Sequence, residues 1–443
     1  MINNLNGKRI SIIGAGVSGC AVAKVASAHG ADVFVSDGKE IPDERKRMFA
    51  AENISWEENG NSSRVLECDE IVVSSGIPPY IPIIKAAEEH AVRLTGELDF
   101  AANYLKGKII AVTGSNGKTT TCSVIGGLLK KSGYNCAIAG NIGVGVAELA
   151  DKEFDYIAME LSSFQLYWST HFKCDAAVIT NLAPDHINWH GSYENYIAAK
   201  ANLFRCLKEN GAAICQKRDT EVLRITKGTD IYRLGWEEDC RIFLNRQNKA
   251  AYLDSDELFS FADVNLLGDH NMENLAMALA AVKLAGATVN KSFLAELKAP
   301  EHRCEYVGET NGIVFVNDSK GTNVAASVTA MSSLQGSKII ILGGQGKGEE
   351  YGPLAETVCK YVKSAVIIGS EKEKIARALD DFGYVNYQFA EDMGDAVRKA
   401  YEKADNGDMV LLSPACTSWD MYPNFETRGE DFRAKAMEII NKN

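Results

Sequence analysis

No stretch of the chain approaches ~18 consecutive apolar residues, so nothing in it reads as a membrane-spanning helix. The opening Met1-Ile2-Asn3-Asn4-Leu5-Asn6-Gly7 lacks both the basic start and the apolar run of a secretion signal. The expectation is a soluble, cytoplasmic protein with no membrane partner. Positive charge is in deficit, 47 Lys and Arg against 59 Asp and Glu, a net charge of −12. That is the opposite of the basic footprint of a nonspecific nucleic-acid binder, and any anionic ligand must be met by local sites. The 11 cysteines contain no C-x-x-C pair, which argues against a zinc knuckle, a thioredoxin-type site or a disulfide framework. Most read as small buried apolar residues. With 9 prolines against 38 glycines and no short repeat or low-complexity tract, collagen-like, fibrous and disordered classes fall away too.

What remains is 443 residues of ordinary globular composition, 46% apolar and 24% charged, enough for two to four domains, with three favoured. Strand-like runs alternate with helical patterns. Arg9 to Ile13 is followed by a helix from Val17 to about His29, closed by Gly30, and by the strand Asp32 to Ser36. A second cycle opens at Lys108 to Thr113, enters a Gly-rich turn and a helix ending near Gly133, and continues through runs ending at Glu160 and Asn181. A third begins after Pro300, with strands at Ile313 to Val316, Lys338 to Leu342, Ala365 to Ile368 and Met409 to Leu412. Strands spaced by helices imply parallel sheets, which gather ligands at the carboxyl ends of their strands. The expected division is 1–96, 97–299 and 300–443. Residues from about 235 to 265 read as strands and loops without a chemical signature.

Gly14-Ala15-Gly16-Val17-Ser18-Gly19 follows a strand and opens a helix, with Asp37 about 20 residues on. The glycines permit close approach of backbone N–H groups to a diphosphate, and Asp37 can accept from a ligand hydroxyl or base; the alternative is a tight packing turn. Thr113-Gly114-Ser115-Asn116-Gly117-Lys118-Thr119-Thr120 lies between a strand and a helix. Its N–H groups, Lys118 and the Thr119 hydroxyl can cradle ATP phosphates and one Mg²⁺, although the standard spacing would put glycine where Val112 stands. Glu160 and Pro184-Asp185-His186 are strand-end polar groups beside this loop, able to ligate Mg²⁺ or orient substrate. Their bland alternatives are an N-cap for Asp185 and a satisfied imidazole for His186. Lys200, on an amphipathic helical pattern, reads by residue chemistry as a solvated face. His302-Arg303 and Asn317 to Asn323 are polar clusters that read equally as solvated loops, and Asp269 or Asn271 as a helix cap.

Taken together, residues 113–120, Gly140-Asn141-Ile142-Gly143, Glu160-Leu161-Ser162-Ser163-Phe164-Gln165-Leu166, Pro184-Asp185-His186 and Asn317-Asp318-Ser319-Lys320 resemble the Mur ligase family of peptidoglycan synthesis, over nearly the whole chain. The N-terminal glycine motif, with Ser413 to Asp420 and Asn424 to Gly429, is similar to the D-glutamate-adding branch. Gln345, Asn188 and Gly321 depart from the aspartate, acidic residue and alanine common there. The resemblance implies an α/β protein of three domains: a Rossmann-like N-terminal domain, a central phosphate-loop ATPase-like domain with a mainly parallel sheet, and a Rossmann-like C-terminal domain. It implies a UDP-linked muramoyl substrate at Val17, Ser18, Asp37, Ser74, Gly76, Asn141 and His186. ATP falls to Gly114, Ser115, Asn116, Gly117, Lys118, Thr119 and Thr120, with Asn271, Asn274, Arg303 and Asp318 at adenine or ribose. D-glutamate falls to Lys320, Thr322, Lys347, Ser418 and Phe425. Two Mg²⁺ ions would be held by Thr119 and Glu160 and by His186 and Lys200, the last carbamylated by CO₂.

The implied reaction passes through an acyl phosphate, with Lys118, Glu160, His186 and Lys200 as its working groups and domain closure excluding water. Small-molecule substrates and a monomer are expected. A nicotinamide dehydrogenase would leave the phosphate loop and the strand-end Glu160 and His186 unused. A phosphate-loop switch predicts ATP turnover indifferent to amino acids. Another amide ligase of the same kind differs in which amino acid stimulates phosphate release.

Overall fold

The computed structural model describes residues 4–225, 230–264, 268–297 and 301–442. The chain divides into two compact units, Met1–Phe261 with Asn274–Phe293, and Ala262–Glu273 with Leu294–Asn443. Among the described residues the strands form three sheets, each in an α/β domain. The expected boundary at 299/300 lies outside the described residues.

In the first unit, β1 (Arg9–Ile13), β2 (Asp32–Ser36), β3 (Ser55–Glu57), β4 (Glu70–Val73) and β5 (Arg93–Gly96) form a wholly parallel sheet in the order β3-β2-β1-β4-β5. The order reverses at β1, so the loops after β1 and β4 open a crevice at the carboxyl edge, where ligands of such sheets bind. The second sheet is built of β6 (Lys106–Thr113), β7 (Cys136–Gly140), β8 (Glu153–Glu160), β9 (Cys174–Ile179), β10 (Leu207–Gln216), β11 (Ile231–Gly235), β12 (Ile242–Asn245), β13 (Ala250–Leu253) and β14 (Asp256–Ser260). Its order is β14-β13-β12-β11-β10-β9-β6-β8-β7, parallel except for the antiparallel β12-β13-β14 end, which is the segment without a chemical signature. Ile109 to Val112, Ile157 to Met159 and Ala176 to Ile179 are buried, as unbroken apolar runs between two helical layers must be. One apolar cluster runs from Ile10 and Val35 through Phe100 and Ile157 to Cys215, which is why the first two sheets share a unit.

The second unit carries β15 (Glu305–Thr310), β16 (Ile313–Asn317), β17 (Lys338–Gly343), β18 (Val362–Ile368), β19 (Tyr387–Phe389) and β20 (Met409–Leu412). Their order is β15-β16-β20-β17-β18-β19, parallel apart from the β15-β16 hairpin. Helix termini follow the sequence signals: the helix Val17–Ala28 is closed by His29 and by Gly30 at φ 88°. β9 ends at Ile179, two residues before the expected Asn181, because Asn181 leaves the ladder to brace a neighbouring loop. Nine of the 11 cysteines are buried; Cys68 is half-buried and Cys359 exposed.

Candidate active site

β6 delivers Thr113, buried, into the turn Gly114 to Gly117, and the helix Lys118–Lys131 starts behind it. Two of the turn's glycines are required. Gly114 sits at φ 145°, where a Cβ would lie 2.0 Å from Thr180 Oγ1; Gly117, at φ 81°, would bring one 2.6 Å from Asn274 Oδ1. The turn is braced from the segment after β9. The Ser115 N–H donates to the Asn181 carbonyl (2.8 Å), the Asn116 N–H to Asn181 Oδ1 (2.9 Å), and Asn181 Nδ2 returns a bond to the Asn116 carbonyl (2.9 Å). The N–H groups of Ser115 and Asn116, expected to face phosphate, are thus spent on the loop's own architecture. Ser115 Oγ bonds the Ala183 carbonyl (2.9 Å) and shares a hydrogen with Tyr196 OH (2.8 Å). The helix N-terminus has no side-chain cap, so its first N–H groups face the mouth of the turn with the positive end of the helix dipole behind them. Lys118 Nζ folds back onto the carbonyls of Gly114 and Ser115, each at 2.9 Å.

Parallel register brings Glu160 to the same edge, since Val112 of β6 pairs with Glu160 of β8 and Thr113 with Ile179 of β9. Glu160 is 1% exposed. Its Oε1 accepts from Asn141 Nδ2 at 2.8 Å, and its buried Oε2 has no hydrogen-bond partner among the described residues. A buried carboxylate oxygen left in this state fits a hard cation, and a hydroxyl such as that of Thr119, the second residue of the helix Lys118–Lys131, is an oxygen donor of the same hard class. His186, half-exposed at a left-handed φ of 52°, is the N-cap of the short helix Ile187–His190, so Asp185 is not that cap; the Asp185 Oδ1 accepts from the His186 N–H at 2.9 Å.

The solvated-face reading of Lys200 is overturned. On the helix Tyr193–Arg205 it is 2% exposed, with Nζ donating to the Gly114 carbonyl at 2.8 Å and to Thr113 Oγ1 at 3.3 Å, and lying over the Tyr196 ring. Burial, then the neighbouring Lys118 ammonium, holds its amine well below the usual lysine range, against the weaker pull of Asp185 and Glu160. A neutral amine is the form that adds CO₂. Sequence reasoning missed two neighbours. Tyr196, four residues before Lys200 and on its helix face, was within reach of a spacing argument. His190 was not: it is buried, stacks on Phe164, bonds Ser163 Oγ at 2.9 Å, and is pushed down to about 4 by burial, His186 and Lys200.

At the first glycine loop, the helix Val17–Ala28 has Gly16 as N-cap with no side-chain cap and no acidic residue in its first turn, and Val17 is 67% exposed. Asp37 is less free than expected: Oδ2 accepts from the Ala15 N–H (2.7 Å) and Oδ1 from the Lys39 N–H (2.9 Å). Ser74 Oγ donates to the Gly14 carbonyl at 3.2 Å, and the Gly76 carbonyl accepts from Trp189 Nε1 at 3.3 Å. Ser74 and Gly76 lie on the loop after β4, Val17 and Ser18 in the first turn of the helix that follows β1, and Asp37 directly after β2.

In the second unit the solvated-loop reading of residues 302–323 fails at its centre. His302, Asn317, Asp318 and Ser319 are all buried. Asp318 accepts from Ser413 Oγ (2.7 Å) and the Cys304 N–H (3.2 Å); burial pushes its carboxyl up to about 6, against the pull of Ser413 and the Arg303 guanidinium. Asn271 is fully buried inside the first turn of the helix Asp269–Leu284, so it is no cap, while Asn274 belongs to the first unit beside Gly117. Lys320 Nζ lies 5.4 Å over the Phe425 ring. The buried Arg428 ties the loops together, donating to Ser319 Oγ (2.9 Å), the Ser319 carbonyl (2.8 Å) and the Cys416 carbonyl (3.0 Å). Paired backbone bonds between Gln345 and Thr417, each 2.9 Å, set the Lys347 loop beside Ser418. Thr322 is half-buried and Lys347 exposed.

Three family descriptions match this chain: Mur ligase middle domain at residues 112–282, Mur ligase glutamate ligase domain at 302–416, and MurD N-terminal domain at 9–83. Among solved structures, MurF ligase from Thermotoga maritima in complex with ADP covers 99% of this chain and 97% of its own at TM-score 0.60 and 17% identity. A pseudomurein peptide ligase type C from Methanothermus fervidus covers 98% and 100% at TM-score 0.59 and 18% identity. These establish the shared fold. The UDP-N-acetylmuramoylalanine--D-glutamate ligase of Caldicellulosiruptor saccharolyticus is 35% identical over 98% of this chain and 100% of its own length, and that of Bacteroides fragilis is 35% identical over 98% and 100%. With three domain matches in order and relatives of this identity along its whole length, the chain belongs to the Mur ligase family, within its UDP-N-acetylmuramoylalanine--D-glutamate ligase group.

Proposed function

We propose that this protein is an ATP-dependent ligase that joins D-glutamate to UDP-N-acetylmuramoyl-L-alanine, giving ADP and phosphate, in the synthesis of peptidoglycan precursors. The observation that carries the chemistry is the pairing, at the carboxyl ends of adjacent strands, of a lysine-bearing phosphate loop with a buried Glu160 oxygen that has no partner among the described residues. The choice of substrates is supported by the names of the relatives. Gly114 to Thr120 hold the ATP phosphates, with Asn271, Asn274, Arg303 and Asp318 at the adenosine. Val17, Ser18, Asp37, Ser74, Gly76, Asn141 and His186 hold the UDP-linked substrate, and Lys320, Thr322, Lys347, Ser418 and Phe425 the D-glutamate. Domain limits near residues 96 and 300, a monomer, and a cytoplasmic location complete the proposal.

The substrate carboxylate attacks the γ-phosphorus, ADP leaves, and an acyl phosphate forms. The D-glutamate amine then attacks the acyl carbon, loses a proton, and phosphate departs from the tetrahedral intermediate. Two unit negative charges ~4 Å apart repel by about 4 kcal/mol at an effective dielectric near 20, so the first step needs local positive charge. Lys118 supplies it once phosphate displaces its ammonium from the loop carbonyls. Thr119 and Glu160 would hold one Mg²⁺, and His186 with a carbamylated Lys200 a second; bound there, such ions neutralise phosphate and carboxylate oxygens. Carbamylation itself fits the buried amine, since Lys200 adds CO₂ as the neutral base, releases a proton and becomes an anion. Native mass spectrometry in carbonate-containing and CO₂-free buffer reads that modification.

The deciding experiment is phosphate release from Mg·ATP with UDP-N-acetylmuramoyl-L-alanine and, in turn, D-glutamate, L-glutamate, L-alanine, L-lysine and diaminopimelate, with products weighed by mass spectrometry. Release coupled to a D-glutamate adduct alone is the expected result. An adduct with another amino acid would refute the branch, and hydrolysis without any adduct would refute the ligase.

A further inference from the structure

The loop Ser74 to Ile77 after β4 carries two residues assigned above to the UDP-linked substrate, yet much of its support comes from outside the first sheet. Trp168 Nε1 donates to the Ile77 carbonyl and Trp189 Nε1 to the Gly76 carbonyl, each at 3.3 Å; Trp168 follows β8 and Trp189 follows β9, both strands of the second sheet. The Ser75 N–H donates to Glu97 Oε2 at 3.2 Å. Glu97 opens the helix Glu97–Ala102 directly after β5 and is 6% exposed. Its Oε1 accepts from Gln165 Nε2 at 3.3 Å. Gln165 in turn accepts from the Ser162 N–H at 3.0 Å, two residues beyond Glu160. One buried carboxyl group thus joins the loop after β4 and the segment leading from the Glu160 strand end. Burial raises its pKa, against the hydrogen bonds from Ser75 and Gln165.

We propose that Glu97 is a positioning residue for the UDP-linked substrate: its carboxylate sets the Ser75-Gly76 turn in register with Gln165 and hence with the strand end that carries Glu160. The diphosphate end and the reacting carboxylate belong to one molecule, so a displacement of about 1 Å at the first loop misplaces the carboxylate at the second site. Glutamine has the right shape and the wrong chemistry, because its NH₂ must face either the Ser75 N–H or the Gln165 NH₂, donor against donor.

The inference rests on the function proposed above. The test measures KM for UDP-N-acetylmuramoyl-L-alanine, ATP and D-glutamate, with kcat and melting temperature, for wild type, Glu97→Gln and Glu97→Asp. The expected result is a tenfold or larger rise in KM for the UDP-linked substrate in Glu97→Gln, an unchanged KM for ATP, and a smaller rise in Glu97→Asp, which keeps the charge. Equal values for wild type and Glu97→Gln, a parallel rise in all three KM values, or equal losses in the two variants would overturn it. If Glu97→Gln gives no folded protein, Gln165→Leu, which removes one donor to the carboxylate and leaves it the Ser75 N–H, is read by the same ratio of KM values. Failure of wild type to use the UDP-linked substrate at all would instead refute the proposed function.

Discussion

Lys118 and Lys200 both donate to the Gly114 carbonyl, at 2.9 and 2.8 Å, so one oxygen of the phosphate loop draws two amines together. Only Lys118 can swing out to a phosphate, since Lys200 is buried under the loop. Lys118→Ala is expected to lower ADP formation by at least about 100-fold while binding of the UDP-linked substrate survives, read by coupled assay and calorimetry. Wild-type turnover in that variant would refute the loop assignment. Asp318 provides a pH signature with a definite sign. Its carboxyl is raised in the fold from 3.8 to about 6, so between those values the folded chain holds a proton the unfolded chain has lost. Its contribution to stability therefore falls as pH rises from about 4 to about 6, by up to about 3 kcal/mol. Denaturant unfolding of wild type and Asp318→Asn should diverge across that window, the variant gaining on wild type toward pH 7; parallel curves would contradict the raised value.

At the scale of elements, the two helices that follow the glycine loops have no side-chain cap at their N-termini, and glycine is what lets those loops close. Gly117→Ala forces a Cβ into a left-handed backbone and to 2.6 Å from Asn274 Oδ1, so ATP affinity should fall at least tenfold with little change at the UDP site, measured by titration of each ligand. Further along the same helix, Gly126 packs flat on β7, and a Cβ there would lie 2.3 Å from Ile138 Cγ1. Gly126→Ala is expected to destabilise the first unit by about 1–3 kcal/mol through overpacking, although alanine favours the helix. A variant as stable as wild type would mean that Ile138 turns aside freely.

Across the whole molecule, Asp99, in the helix after β5, ties that end of the first sheet to the segment between β8 and β9. Its carboxylate accepts from Ser169 Oγ, Thr170 N–H and Oγ1, His171 N–H and Phe172 N–H at 2.6 to 2.9 Å. Burial opposes its charge, but these donors outweigh it and hold the carboxyl below its ordinary range. Asp99→Ala should cost about 2–3 kcal/mol by leaving the buried Phe172 N–H and the part-buried Thr170 and His171 N–H groups without their acceptor. Acid unfolding checks the sign, since a lowered carboxyl stabilises above its unfolded pKa and loses that stabilisation as pH falls through the folded one.

Strand order along the chain, the phosphate loop and the strand-end Glu160 were legible because each is a local pattern: apolar runs, glycines at a turn, a polar residue where a run stops. The family motifs carried the remaining assignments. Lys200, Asp318 and Glu97 were not legible by residue chemistry, since burial is set by what packs against a side chain, and Glu97 meets Ser75 and Gln165 from 22 and 68 residues away in the chain. The sequence by itself determined the α/β domains and the two glycine loops, through periodicity and turn chemistry. The tertiary structure alone decided which charges lie buried, which loop N–H groups are already spent and which carboxylate oxygen lacks a partner, because desolvation and hydrogen bonding depend on neighbours that only folding supplies.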